Sequence, residues 1–92
     1  MANHASAEKR NRQRIKRTVR NRAIKTEFRT LVKHVREAIG SGDVKRAEKA
    51  LREAASALDS AVTKGVLHRA TASRRISRLT TAVHRSAAPA AG

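Results

Sequence analysis

The side chains of this chain that could do chemistry are mostly cations, and they concentrate between Lys9 and Lys25, a stretch that we call the basic segment. It reads KRNRQRIKRTVRNRAIK, with six arginines, three lysines, no acid and no aromatic residue. Such a run of like charges repels itself and has little tendency to fold alone. It is suited to binding a dense array of negative charge, such as nucleic acid. Its arginines favour forked contacts with phosphate oxygens.

The charge of the 92 residues is distributed unevenly around a net value of +15. Residues 1–36 carry a net charge of +10, residues 37–60 carry −1, and residues 61–92 carry +6. Because the middle is balanced and the two ends are not, the charge indicates a binding surface and not a general means of solubility. The length predicts a single small domain, with a modest core that is marginally stable without its partner.

The remaining residue types argue against several functional classes. With no cysteine, disulfides and thiolate metal sites are excluded, and the four histidines lack neighbours at ligand spacing, so we expect no metal and no cofactor. The sequence shows no nucleophilic side chain paired with a general base. We therefore expect that the protein is not an enzyme and has no small-molecule substrate. No apolar run is long enough to span a membrane, and the start lacks a secretory h-region, so we expect a cytoplasmic protein. An organelle transit peptide is the less favoured interpretation of the Arg-rich start.

Aromatic residues are nearly absent, since Phe28 is the only one. Its position among apolar residues predicts that it lies in the core. Base stacking on Phe, Tyr or Trp, a common means of recognising single-stranded RNA, is therefore not expected. Recognition should depend on phosphates, sugars and shape, which favours structured RNA or duplex DNA.

The pattern of the chain predicts an all-α fold, an antiparallel three-helix bundle with a long, projecting, basic N-terminal helix. Ser6 and Asp43 are suited to capping helix starts, while Gly40-Ser41-Gly42 and Gly65 are suited to ending helices. We expect one domain over residues 1–92, divided into a loose N-terminus 1–5, helices 6–39, 43–64 and 70–86, and a loose tail 87–92. Helical spacing places the apolar residues of each helix on one face: Ile24, Phe28, Leu31, Val32, Val35 and Ile39; Val44, Ala47, Leu51, Ala54, Ala55, Leu58, Ala61 and Val62; and Ala72, Ile76, Leu79 and Val83.

Short motifs along nearly the whole chain carry a resemblance to a known family. They are Met1-Ala2-Asn3, Ser6-Ala7 with Lys9-Arg10, Arg29-Thr30 with Lys33 and Val35, Ala38-Ile39, Gly42-Asp43, and Lys64-Gly65-Val66-Leu67-His68 followed by Ala72 and Arg74. Each motif is weak alone, but together and in order they are specific. The chain resembles the bacterial small-subunit ribosomal protein S20 family.

The resemblance implies a monomeric component of the cytoplasmic small ribosomal subunit that binds 16S ribosomal RNA directly and supports assembly, without catalysis. It implies that the basic segment runs among RNA helices and that the Lys64–His68 turn and the following helix make further contacts. The expected RNA-binding residues are Lys9, Arg10, Arg12, Arg14, Lys16, Arg17, Arg20, Arg22, Lys25, Arg29, Lys33, Lys64, His68, Arg69, Arg74, Arg75 and Arg78. The family usually has Asn where this chain has Ala70, so Thr71 is the alternative candidate for capping the third helix.

Two other interpretations of the charge compete with this one. A histone-like protein that compacts DNA is compatible with the composition. A membrane-surface helix is disfavoured because the basic segment lacks a broad apolar face. Repulsion within the basic segment also predicts that residues from Ser6 to about Ala23 fray in the free protein and become helical on RNA.

Overall fold

Three α-helices make up the described part of this chain, residues 2–87, in a computed structural model whose side chains are described from residue 5. Helix α1 covers Ala2–Ser41, α2 covers Val44–Thr63 and α3 covers Arg69–Ala87. No strand occurs within this range. The predicted all-α class with a long first helix is therefore confirmed. Met1 and residues 88–92, which belong to the predicted loose ends, lie outside the described range.

The helix boundaries differ from the predicted ones mainly at the N-terminus. Helix α1 begins at Ala2 and not at the predicted cap Ser6, since the neighbouring alanines are strong helix formers and no Gly or Pro interrupts them. Its last turn includes Gly40 and ends at Ser41. Helix α3 begins one residue earlier than predicted, and its last described residue is Ala87.

The turn between α1 and α2 is formed by Gly42 and Asp43. Gly42 has φ +78°, a left-handed conformation that glycine adopts without the steric cost of a Cβ atom, and its amide donates to the Ile39 carbonyl at 3.1 Å. Asp43 is the predicted N-cap, and its carboxylate accepts from the Arg46 amide at 3.1 Å. The second connection is also short, because α2 ends at Thr63 and α3 begins at Arg69.

The residues that line the grooves between α1 and α2 show the relative direction of these helices. One groove is lined by Glu27 of α1 and Ser60 of α2, and another is lined by Glu37 of α1 and Arg46 of α2. Residue numbers therefore rise along α1 as they fall along α2, so these helices are antiparallel. Helices α1 and α3 run in the same direction, as expected for an up-down-up bundle.

The core is formed by the predicted faces of the three helices. Its buried residues are Ile24, Phe28, Val35, Ala38, Ala47, Ala50, Ala54, Leu58, Ala61, Ala72, Leu79 and Val83. Four of the five buried residues of α2 are alanines, which lets its neighbours approach closely. Val66 and Leu67 pack against the core from the second turn. Ala38 and Ala50 are core residues that were not placed on the predicted apolar faces, whereas Val44 and Ala55, which were, are only half-buried and lie outside this cluster.

The first half of α1 extends away from this core. The molecule measures 75 × 22 × 14 Å and has a radius of gyration of 18.5 Å. A compact chain of this length has a radius of gyration of about 12 Å. The first buried side chain of α1 is Ile24, which is 8% exposed. The predicted projection of the N-terminal half is therefore present.

Candidate nucleic-acid interface

The basic segment is a helical rod whose side chains are almost entirely exposed. Every side chain from Ala5 to Arg20 is exposed, and even the large apolar residues Ile15 and Val19 are 54% and 62% exposed. The helix has no break within the segment, and Thr18 donates a hydrogen bond to the Arg14 carbonyl at 2.9 Å. This geometry presents cations on all sides of a rod, which suits a site surrounded by phosphates.

The cations of the basic segment have no ion pairs among the described side chains. The single ion pair among the described side chains joins Lys33 Nζ to Glu37 Oε1 at 3.9 Å, and both side chains are well exposed. This pair lies outside the basic segment. The nearest acids in sequence are Glu8 and Glu27, at its two ends. The positive charge of the segment is thus not neutralised by the protein itself.

Arg20 connects the basic segment to the second turn. Its Nη2 donates to the Lys64 carbonyl at 3.0 Å, across 44 positions of the chain. Lys64 is the C-cap of α2, where the helix dipole is negative and carbonyls lack helical partners. A guanidinium has five N–H donors, so Arg20 retains donors for a phosphate. The structure therefore brings together two predicted parts of the interface, the basic segment and the turn.

His68 caps α3. Its Nδ1 accepts from the Ala70 amide at 3.2 Å, and its carbonyl accepts from the Ala72 amide at 3.0 Å. The expectation that Thr71 takes over the capping role is wrong, because the imidazole satisfies a free amide of the first turn. With Nδ1 accepting, the proton of the neutral ring is on Nε2, so the exposed ring can still donate to an RNA oxygen.

A third cationic surface lies where α1 and α3 meet. A groove of about 390 Å³ is lined by Val32, Arg36, Arg75, Arg78, Leu79 and Ala82, with no carboxylate among them. The Arg75 guanidinium carbon lies over the Phe28 ring, 5.6 Å from its centroid. We refer to this surface as the α1–α3 groove. The sequence analysis missed Arg36, although it follows Val32 by four positions and so lies on the same helix face.

The other predicted residues are distributed over the surface without converging. All seventeen predicted residues are exposed. Outside the basic segment, Arg29, Arg69 and Arg74 line none of the grooves between the helices, and Lys33 is paired with Glu37. Carboxylates instead line the grooves between α1 and α2, where Glu27, Glu37 and Glu53 lie. Cations without neighbouring carboxylates are thus found at the α1–α3 groove, whereas the α1–α2 grooves combine both signs of charge.

Between residues 5 and 87, no three histidine, aspartate or glutamate side chains are grouped so that they could hold a metal ion. Within the same residues, no helix is both long and apolar enough to cross a membrane.

Comparison with known proteins gives one consistent result. The family model described as Ribosomal protein S20 matches residues 2–84. The chain is 52% identical to a small ribosomal subunit protein bS20 of Maridesulfovibrio salexigens over 87 residues, which cover 95% of this chain and 100% of that protein. A bS20 protein of Helicobacter acinonychis is 51% identical, with 95% and 98% covered, and one of Nitratidesulfovibrio vulgaris is 49% identical, with 95% and 100% covered.

Proposed function

This chain belongs to the ribosomal protein S20 family, and from that premise we propose that it is a structural protein of the small ribosomal subunit that binds 16S ribosomal RNA directly. It acts in the cytoplasm as one copy within the ribonucleoprotein. It supports folding of the RNA during assembly and has no catalytic role.

The observation that carries the proposal is the exposed, unneutralised basic segment. A rod of this kind lowers its own electrostatic energy when it lies between phosphate-lined surfaces, and the counterions released from the RNA add a favourable entropy. The protein has no carboxylates within the segment that could replace those phosphates. RNA binding therefore stabilises both the position of the rod and its helical conformation.

The contacts are proposed to be of two kinds. The basic segment supplies dispersed contacts to phosphates on several sides, from Lys9 to Lys25. The second turn supplies fixed donors, because Lys64, His68 and Arg69 follow the end of a packed helix. The Arg20 bond to the Lys64 carbonyl brings these two groups close together, and contacts from two adjoining surfaces suit a folded RNA better than a flexible strand.

The direct test is binding of the full chain to a 16S ribosomal RNA transcript at several salt concentrations. If about eight phosphates are neutralised, the slope of log K against log salt should be about −6 or steeper. Competition with duplex DNA at equal salt tests the histone-like alternative. A preference for the DNA, or failure of the protein to co-sediment with small ribosomal subunits, would overturn the proposal.

A further inference from the structure

The α1–α3 groove has features that simple binding of phosphates does not require. Arg36 comes from α1, whereas Arg75 and Arg78 come from α3, so two helices place three guanidiniums around one opening. The six lining residues include no carboxylate. This arrangement favours an anionic ligand that enters the groove from solvent.

The floor of the groove is apolar. Val32 and Ala82 are half-buried, and Leu79 is 6% exposed. A bare phosphate gains nothing from such a floor, whereas a ribose or the edge of a base can bury apolar atoms against it. The volume of about 390 Å³ lies in the range of small-ligand sites. The groove therefore suits a nucleotide better than a phosphate oxygen alone.

Arg75 supplies a surface on which a base can stack. Phe28 itself cannot do this, because it is 2% exposed. The Arg75 guanidinium carbon lies 5.6 Å from the centroid of the Phe28 ring, and the Arg75 side chain is exposed, so a ligand can approach the guanidinium from solvent. Bases in RNA complexes stack on arginine planes as well as on aromatic rings. Contact with Phe28 holds the guanidinium in place and reduces the entropy that it would lose on stacking.

From these contacts we propose that the α1–α3 groove takes one unpaired nucleotide of the RNA. Its base stacks on Arg75, its phosphate binds Arg36 and Arg78, and its ribose lies against Val32 and Leu79. This site would add recognition of an extruded base to a protein whose other cations contact the backbone. The inference rests on the proposed function, since it requires an RNA partner.

The test uses two RNA hairpins that differ only in one bulged nucleotide, 2-aminopurine, whose fluorescence changes when its stacking changes. The protein contains no Trp or Tyr, so the signal of this base is free of protein emission. We expect the bulged hairpin to bind about tenfold more tightly than the paired hairpin, with a change in 2-aminopurine fluorescence on binding. Equal affinities, or unchanged fluorescence in the bound bulged hairpin, would overturn the assignment.

Matched variants separate stacking from charge. Arg75→Lys keeps the charge and removes the planar group, so it should lose most of the preference for the bulge. The control is Arg74→Lys, at an adjacent exposed position outside the groove, which should keep the preference. Thermal unfolding followed by circular dichroism checks that both variants are folded. The same loss of preference in both variants would contradict the proposed role of Arg75.

A second pair tests the phosphate contact. Arg36→Gln should weaken binding of the bulged hairpin more than that of the paired hairpin, by about three- to tenfold. Arg29→Gln, which removes an exposed cation outside the groove, should affect both hairpins equally. If Arg36→Gln also affects both equally, the groove does not hold the nucleotide, although RNA binding stands. Failure of wild-type protein to bind either hairpin or 16S RNA would instead reject the proposed function.

Discussion

The two halves of α1 belong to one continuous helix, yet they are stabilised in different ways. From Ile24 onward, one face is buried against α2 and α3, and Val35 and Ala38 are fully buried. Before Asn21, no described side chain of α1 is even half-buried. Packing therefore stabilises the C-terminal half, whereas the N-terminal half depends on backbone hydrogen bonds, helix propensity and the Arg20 contact.

Electrostatics increases this difference. Like charges spaced three or four positions apart destabilise a helix by about 0.2–0.5 kcal/mol per pair, and Arg10, Arg14 and Arg17 form two such pairs. The C-terminal half has the opposite arrangement, with Lys33 and Glu37 in an i,i+4 pair. The dense positive charge of the N-terminal half thus reduces its stability as an isolated helix.

The largest effect is expected from removing charge in the N-terminal half. The triple change of Arg12, Arg14 and Arg17 to Gln should make the salt slope about two to three units shallower. At about 0.1 M salt this corresponds to about 100- to 500-fold weaker binding of 16S RNA. The free energy of unfolding of the bundle should hardly change, because these side chains make no core contacts. Filter binding at several salt concentrations and urea unfolding measure the two quantities.

The matched control removes three cations from α2, with Lys45, Lys49 and Arg52 changed to Gln. This variant has the same net charge as the first triple variant. We expect a much smaller change in the salt slope, because α2 lies outside the proposed contacts. Equal losses in the two triple variants would show that net charge, and not the basic segment, determines affinity.

A core substitution should have the opposite effect. Leu58 is fully buried, so Leu58→Ala should lower the free energy of unfolding by about 2–4 kcal/mol through lost burial and the cavity left behind. Affinity for RNA should remain within about twofold at temperatures where the variant is folded, because no RNA contact is removed. Leu51→Ala, at a half-buried position, should cost less. A large loss of affinity in folded Leu58→Ala protein would show that the core and the interface are coupled.

Periodicity and turn chemistry predicted the bundle well. The apolar faces agree with the core, and the Asp43 cap and the Gly42 turn are present, because each depends on residues close in sequence. The start of α1 at Ala2 was not predicted, since the capping preference of Ser6 is weaker than the preference of the surrounding alanines to continue the helix.

Contacts between distant residues were harder to predict. The net charge located the basic segment, but no local pattern connects Arg20 with Lys64, which is 44 positions away. The Arg75–Phe28 contact and the participation of Arg36 depend on the rotation of α1 against α3, which the sequence does not specify closely enough. The sequence analysis expected no surface for base stacking because it counted only aromatic residues. The proposed stacking surface is instead the Arg75 guanidinium, which the packing of α3 against α1 places beside Phe28.

Two glycine substitutions test the backbone conformation at the end of α1, in the half of this helix that packs in the bundle. Gly42→Ala should lower the free energy of unfolding by about 1 kcal/mol, because alanine is disfavoured at φ +78°. Gly40 is helical, and no atom lies within 4 Å of a Cβ placed there, so Gly40→Ala should raise stability by about 0.5 kcal/mol. Urea unfolding distinguishes the signs. Shifts of the same sign would contradict the observed end of α1.

The smallest overall effect, in binding and stability together, is expected from single substitutions at the junction of the two halves. Arg20→Gln and Arg17→Gln remove the same charge, and each should make the salt slope shallower by about one unit. Only Arg20→Gln breaks the bond to the Lys64 carbonyl, at a cost below about 1 kcal/mol, because the bond is exposed. It should therefore increase amide hydrogen exchange over residues 15–22 of the free protein more than Arg17→Gln does. Equal exchange in the two variants would mean that this bond does not restrain the basic segment, and its placement on RNA would then depend on the RNA alone.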